Sequence, residues 1–216
     1  PGAKFFEEVR RHSKIRIHAL IRPRFGDFCY TDYEYAVIRE EVKMYRELGA
    51  EGVVIGILKP DGTLNMEQME GLMEEAKDMS VTLHRAFDVC ADPFAALEDA
   101  VKLGIDTILT SGQRNNCAVC HFIRLEGAEL LRELEKRSAG RICIQAGGGV
   151  SAEVIERLAP AAGIRAWHMS GKVTLDSEMR YRKEGVNMGL PSLSEYEIYR
   201  TSAEKVRAAR DVLERI

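Results

Sequence analysis

The stretch RICIQAGGGVS, residues 141–151, carries the pattern that decides the fold. A short apolar run ends in three glycines, and Ser151 then offers a side-chain oxygen of the kind that caps the first turn of a helix. Short apolar runs bounded in this way are typical of strands buried on both faces of a parallel sheet. The stretch therefore predicts a strand, a tight turn and a helix in succession.

The same unit recurs along the chain, with amphipathic helical stretches between the apolar runs. One helix is predicted to begin at a capping box formed by Thr31 and Glu34 and to end before Gly49. Such alternation predicts a parallel sheet, either a doubly wound open sheet or a (β/α)8 barrel. The missing G-x-G-x-x-G fingerprint and the polar residues at nearly every strand end favour the barrel. The six strand-like runs are 15–24, 52–58, 80–88, 106–112, 141–149 and 164–172.

Composition limits the classes of protein to consider. The chain has 216 residues with 45% hydrophobic residues and a net charge of −3, so a general nucleic-acid binder is not expected. No apolar run approaches the roughly 18 residues of a membrane span. Five cysteines, an odd number, argue against a disulfide framework and favour a reducing, cytoplasmic compartment. With no long linker, residues 1–216 are predicted to form a single α/β domain, a (β/α)8 TIM barrel with about six of its eight strand–helix units present.

Alternation along each strand predicts which side chains face the barrel interior. Val81 and Leu83 are expected to point outward, toward the helices, as are Ile142 and Ile144. Polar groups from four strands would then gather near one end of the barrel axis. The residues predicted to share that inner face are Thr82, His84, Cys143, Gln145, His168 and Ser170, with Leu20, Arg22 and Arg24 on one parity of the first run.

The sequence HRAFD, residues 84–88, places an imidazole, a guanidinium and a carboxylate together. His84 is a candidate general base or metal ligand, with Asp88 orienting it. The alternative is structural: Asp88 caps the next helix and Arg85 pairs with a neighbouring carboxylate.

The sequence IRPRFGD, residues 21–27, presents two arginines around a proline. Pro23 restricts Arg22 to an extended conformation. Two fixed guanidinium groups suit a carboxylate or a phosphate on a ligand. The alternative is an internal salt-bridge network in which Arg22 and Arg24 pair with Asp27 and Asp88.

The glycines that follow the fifth run predict a possible anion cradle. Gly147, Gly148 and Gly149 would let backbone N–H groups approach an anion at a helix N-terminus. Ser170 and Lys172, at the end of the next run, could add to that cradle. The alternative is a tight strand-to-helix turn.

The stretch NNCAVCHF, residues 115–122, contains C-x-x-C-H, the attachment pattern of a c-type haem. A strand-to-helix loop in a reducing compartment does not fit that attachment, so no haem is expected. The remaining question is whether Cys117, Cys120 and His121 hold a soft metal ion or are ordinary loop residues.

Taken together, several motifs resemble those of the CutC family, which is named for copper homeostasis. They are IRPRFGDFCYTDYEYAVI, VTLHRAFD, ILTSGQ, AGGGVS, WHMSGK and VNMGLPSLSEYEIYRTSAEKV, in the family's order from about Ile17 to the end. The resemblance implies a cytoplasmic (β/α)8 barrel, often a homo-oligomer, with a role in copper homeostasis or copper binding. The matching positions are Arg22, Arg24, Asp27, His84, Arg85, Asp88, Ser111, Gly147, Gly148, Gly149 and His168.

The chain departs from the family pattern in two places. It starts about 50 residues late, so that the first βαβ portion is missing and is expected to be supplied by another segment or chain, or to have been removed. The loop that carries Cys117, Cys120 and His121 is longer and richer in cysteine than the family pattern.

Two functional hypotheses follow, with a binding or scaffold protein as a third. In the first, the chain binds copper: Cu(I) prefers thiolate ligands and accepts imidazole, so Cys117, Cys120 and His121 are the candidate ligands, and Cys29 could join them. In the second, the chain is a barrel enzyme with lyase- or isomerase-like acid–base chemistry on a small phosphorylated or carboxylate metabolite. Its candidate catalytic residues are His84, Asp88 and Arg22, and its candidate ligand-binding residues are Arg22, Arg24, Arg85, Ser111, Gly147, Gly148, Gly149, His168, Ser170 and Lys172.

Overall fold

The fold is built around one curved parallel sheet. The computed structural model describes residues 2–117, 127–183, 185–186 and 194–216. Within these residues six strands pair in chain order, each parallel to the next. They are β1 His18–Leu20, β2 Gly52–Ile55, β3 Ser80–Leu83, β4 Thr107–Thr110, β5 Cys143–Ala146 and β6 Ala166–Trp167. The α/β class and the six parallel strands are confirmed, and the sheet has the form of a half-barrel.

Helices precede, connect and follow these strands, and they cover the convex face of the sheet. They are α1 Ala3–His12, α2 Asp32–Glu47, α3 Met66–Ala76, α4 Pro93–Leu103, α5 Ala128–Ser138, α6 Ala152–Ala162 and α7 Ala203–Leu213. The capping box at Thr31 and Glu34 is confirmed at the start of α2. Ser151 caps α6 by accepting from the backbone N–H of Val154. Local sequence thus determines where these two helices begin.

The C-terminal part departs from the strand–helix repeat. Two strands, β7 Lys172–Asp176 and β8 Glu197–Thr201, form an antiparallel hairpin separate from the main sheet. Helix α7 follows the hairpin and packs against α6. The described residues therefore form a six-stranded half-barrel with an appended hairpin, and β1 and β6 are the two ends of its sheet.

The two faces of the sheet differ in exposure in the way that strand alternation predicts. Val81 and Ile144, on the convex face, are each 1% exposed and pack in the core with the helices. Leu20, on the concave face, is 49% exposed, and Cys143 on that face is also exposed. The core therefore lies between the sheet and its helices, while the concave face is open at Leu20 and Cys143 and buried at Thr82.

None of the helices in the described part of the chain has the length and the apolar character needed to cross a membrane.

Candidate functional site

His84 lies directly after β3, on the concave side, and is 4% exposed. Its Nδ1 accepts a hydrogen bond from the backbone N–H of Ala86 at 3.2 Å and so caps the 3-10 turn Arg85–Val89. Because a neutral imidazole carries one proton, an accepting Nδ1 leaves that proton on Nε2. Nε2 is buried and has no hydrogen-bond partner in the described part of the chain. His84 therefore presents an unsatisfied donor.

The surroundings of His84 keep its ring neutral. Burial, with a smaller contribution from the Arg22 charge, lowers the pKa of His84 to about 4. The ring centroid of Phe28 lies 4.8 Å from that of His84, and the Arg22 guanidinium lies 4.5 Å over the same Phe28 ring. Thus Arg22, Phe28 and His84 form one group at the carboxyl ends of β1 and β3.

Asp88 does not orient His84 in this arrangement. Its carboxylate, 6% exposed, accepts from Arg85 Nε at 2.6 Å, from Thr110 Oγ1 at 2.5 Å and from the backbone N–H groups of Ser111 and Gln113. The contacts described for Asp88 lead to Arg85 and to the loop after β4. Each oxygen of the carboxylate is engaged, so Asp88 holds the β4 loop in place.

For residues 84–88, one part of the structural alternative is confirmed and the other part is wrong. The pairing of Arg85 with a neighbouring carboxylate is confirmed, since Asp88 is its partner. The capping role is wrong: Asp92 caps α4 by accepting from the backbone N–H groups of Phe94 and Ala95. Proline at the first position of α4 places the cap four residues later than the sequence prediction did.

Arg85 and Ser111 join the ends of β3 and β4. Arg85 Nη2 donates to Ser111 Oγ at 2.9 Å and to the Arg114 carbonyl at 3.1 Å. A side chain at Gly148 would come within 3.4 Å of Arg85 Nη1, so the guanidinium also lies against the glycine turn after β5. The structure brings Arg85, Ser111 and Gly148 together, and their role in binding an anion stays a prediction.

Arg22 and Arg24, in the loop after β1, have different partners. Arg24 pairs with Glu34 at 2.5 Å and with Asp27 at 3.0 Å, so the salt-bridge alternative holds for Arg24. Arg22 donates to the Gly26 carbonyl at 2.6 Å and forms no ion pair within the described residues. The proposed pairing of Arg22 with Asp88 is therefore not formed, and Arg22 is the arginine left available to a ligand.

Backbone conformation and close packing explain why three glycines follow β5. Gly148 and Gly149 adopt φ values of 87° and 75°, which residues with a side chain rarely occupy. A Cβ at Gly147 would lie 2.5 Å from Leu109 Cδ1. The tight-turn alternative accounts for all three glycines, and the anion cradle stays a prediction.

The candidate residues after β6 lie in two different parts of the fold, His168 beside the sheet and Lys172 in the hairpin. His168 follows β6 beside Gly147, and burial together with the Arg85 charge lowers its pKa. Ser170 Oγ accepts from the backbone N–H of Lys172. The Lys172 ammonium lies 4.1 Å over the Tyr199 ring in the hairpin. Lys172 therefore belongs to the hairpin rather than to the predicted cradle.

Cys117 is fully buried against the glycine turn. Both its backbone N–H and its Sγ lie 2.9 Å from the Gly148 carbonyl oxygen and donate to it. Burial raises the pKa of the Cys117 thiol to about 11. The other two candidate ligands, Cys120 and His121, lie outside the described residues. Within the described ranges no three histidine, cysteine or acidic side chains group as a metal site.

Cys29, the possible further ligand, lies on the loop between β1 and α2 and is half-buried. Its carbonyl accepts from Arg24 Nη2 at 3.0 Å.

Sequence reasoning missed the aromatic part of the site. Phe28 contacts both Arg22 and His84, and the Tyr30 hydroxyl is buried without a hydrogen-bond partner in the described part of the chain. It also missed Gln113, whose side chain donates to the Cys90 carbonyl. Phe28 and Tyr30 stand two residues apart in the loop that carries the two arginines, and this spacing was the sequence signal that could have indicated the aromatic part of the site.

A half-barrel of six parallel strand–helix units, with polar residues after the carboxyl ends of its strands, is an α/β fold that matches part of a TIM barrel. The CutC family model matches residues 1–173. The chain belongs to the CutC family.

Curated relatives and a solved structure agree with this assignment. A CutC family protein of Parabacteroides distasonis is 44% identical over 197 residues, covering 91% of this chain and 78% of the relative. One from Porphyromonas gingivalis is 41% identical over 217 residues, covering 100% of this chain and 85% of the relative. The crystal structure of CutC from Streptococcus agalactiae, whose name gives copper homeostasis as a provisional role, has a TM-score of 0.69 at 28% identity. It covers 76% of this chain and 77% of the other.

Proposed function

We propose that this chain is a cytoplasmic copper-homeostasis protein that binds copper through the loop between β4 and α5. Membership of a family named for copper homeostasis supports the role. The observation that supports the place is Cys117, a thiol held at the carboxyl end of the sheet and at the start of the C-x-x-C-H stretch. The homo-oligomer that the family resemblance implies is part of this proposal, and light scattering of the purified chain measures it.

The donor set of the loop suits Cu(I). Two thiolates and an imidazole are soft and borderline ligands, which this ion prefers over the oxygen donors that suit magnesium or calcium. Cys117 must lose its proton and its hydrogen bond to the Gly148 carbonyl before it can bind the ion. Copper binding is therefore coupled to loss of the Sγ hydrogen bond between Cys117 and the glycine turn.

A competition titration tests the proposal. Apo-protein is titrated with Cu(I) against a Cu(I)-specific chelator, in the wild type and in Cys117→Ser, Cys120→Ser and His121→Ala. We expect each substitution to weaken binding. Cys143→Ser is the matched control, because Cys143 is an exposed thiol on the concave face of β5 and should leave the affinity unchanged.

Two outcomes would count against the proposal. The loop is not the copper site if the double variant Cys117→Ser/Cys120→Ser binds as tightly as the wild type. Copper handling by direct binding fails altogether if the wild type takes no copper from the chelator.

The alternative of a barrel enzyme that performs acid–base chemistry receives less support. A general base needs a free lone pair, and Nδ1 of His84 already accepts from Ala86. The Asp88 carboxylate is engaged by Arg85 and the β4 loop. The Nδ1 lone pair of His84 and the Asp88 oxygens are therefore engaged within the protein, which favours a binding protein over an enzyme that uses either group as a general base.

A further inference from the structure

We propose that the concave face binds a small oxyanion, a carboxylate or a phosphate group, between the Nε2–H of His84 and the guanidinium of Arg22. This site is separate from the cysteine loop, and the proposal does not rest on copper handling. Its starting point is the buried donor on His84 that finds no acceptor within the described residues. Buried polar groups in folded proteins are nearly always hydrogen-bonded, so a missing partner calls for a ligand.

The hydrogen-bond pattern of the ring decides what kind of partner it takes. Nδ1 accepts from the Ala86 N–H, so Nε2 must offer a proton. A metal ion at Nε2 would need the proton on Nδ1, where it would face that same N–H group. The ligand of His84 is thus a hydrogen-bond acceptor rather than a cation.

The charge around the ring favours a negatively charged acceptor. Arg22 is exposed, and its Nη2 donates to Gly26, which leaves other N–H groups of the guanidinium for a ligand. The nearby carboxylates are already engaged, Asp27 by Arg24 and Asp88 by Arg85. Among the residues that the structure describes, Arg22 is therefore a cation without a carboxylate partner beside a neutral donor, which is the combination that binds oxyanions.

Two aromatic residues complete the site. The Phe28 ring contacts both the imidazole and the guanidinium, so rotation of this one half-buried side chain would open both to the same ligand. The Tyr30 hydroxyl is a second buried group without an acceptor in the described part of the chain. The Arg24 guanidinium lies 5.1 Å from the Tyr30 ring, so the site lies next to a second cation.

A nuclear magnetic resonance titration tests the proposal on the full chain. Protein with 15N-labelled histidine is titrated at neutral pH with inorganic phosphate and, separately, with acetate. We expect a saturable change in the Nε2 signal of His84 with at least one of the two. The probe that saturates at the lower concentration distinguishes a phosphate ligand from a carboxylate ligand.

Matched variants locate the site. Arg22→Gln is exposed and should weaken binding by about tenfold, as loss of a charge-assisted hydrogen bond does. Arg16→Gln, another exposed arginine but at the opposite end of β1, should bind like the wild type. His84→Asn keeps an acceptor for Ala86 and removes the Nε2 donor, so it should abolish binding while its circular dichroism shows whether the fold is kept.

The proposal is overturned if neither probe saturates in the wild type. It is equally overturned if Arg22→Gln binds as tightly as the wild type, and this variant decides the matter even if His84→Asn fails to fold.

Discussion

A Cβ placed on Gly56 would lie 2.7 Å from Nδ1 of His84. Real Cβ atoms do not approach so closely, so the imidazole occupies its position because residue 56, directly after β2, has no side chain. The two residues directly follow the neighbouring strands β2 and β3, whose register ends with Ile55 opposite Leu83. This pairing fixes the ring that carries the proposed oxyanion donor.

Substitution of this glycine should therefore destabilise the protein through His84. We expect Gly56→Ala to lower the free energy of unfolding by about 1–3 kcal/mol, as overpacking of a core does, measured by urea denaturation. In a His84→Ala background the same substitution should cost less, with the contact to Leu83 Cδ1 at 2.9 Å remaining. Additive effects of the two substitutions would show that the imidazole is not the group that is displaced.

The low pKa of His84 predicts how stability depends on pH. The pKa of His84 in the folded chain, about 4, lies below the ordinary histidine value of 6.5, so the unfolded chain binds this proton more readily. The neutral His84 ring therefore contributes up to about 3 kcal/mol to the free energy of unfolding. This contribution is fully present above pH 6.5 and is lost as the pH falls toward 4. Urea denaturation at several pH values, compared between wild type and His84→Asn, measures it. Parallel pH profiles for the two proteins would contradict the assignment.

The Asp88 carboxylate should be needed for stability rather than for proton transfer. Asp88→Asn places an amide N–H₂ against donors from Arg85 and the β4 loop, and we expect a loss of about 3 kcal/mol in unfolding free energy. Asp27→Asn is the control, since this carboxylate is 71% exposed and its pairing with Arg24 should contribute little. Equal effects of the two substitutions would argue against a special role for Asp88.

The raised pKa of Cys117 predicts that copper affinity depends on pH. At neutral pH the thiol is protonated, because its pKa is about 11, and the ion must displace this proton. The apparent Cu(I) affinity should therefore rise with pH by about tenfold per unit for this thiol. A chelator competition at several pH values measures the slope, with Cys143→Ser as the control that keeps it. A slope unchanged in Cys117→Ser would remove this thiol from the ligand set.

Much of the fold could be predicted from local sequence, because strand alternation and helix caps act over a few residues. Parity alone assigns Leu20 to the concave face and Val81 to the convex face, where the helices bury it. The antiparallel hairpin could not be predicted in this way. Lys172 continues the apolar run of β6 in sequence, but Gly171, with φ at 56°, turns the chain out of the sheet.

The candidate site was predictable in composition but not in its contacts. Sequence placed His84, Arg85 and Asp88 near one another, yet which pairs form depends on the 3-10 turn after β3. That turn directs the Asp88 carboxylate to the loop after β4. The His84 ring instead contacts Phe28, which also contacts Arg22. Tertiary geometry of this kind has no periodic signature in a single sequence.

The two hydrogen bonds from Cys117 to one carbonyl oxygen suggest that tryptophan fluorescence can report ligand binding at the loop after β4. Both donors of Cys117 end on the Gly148 carbonyl, two residues after Ala146. Ala146 pairs across the sheet with Trp167, the single tryptophan of the chain. Because a ligand that takes the thiol removes one of the two donors to this carbonyl, the tryptophan fluorescence of the unlabelled protein should report when the thiol is bound.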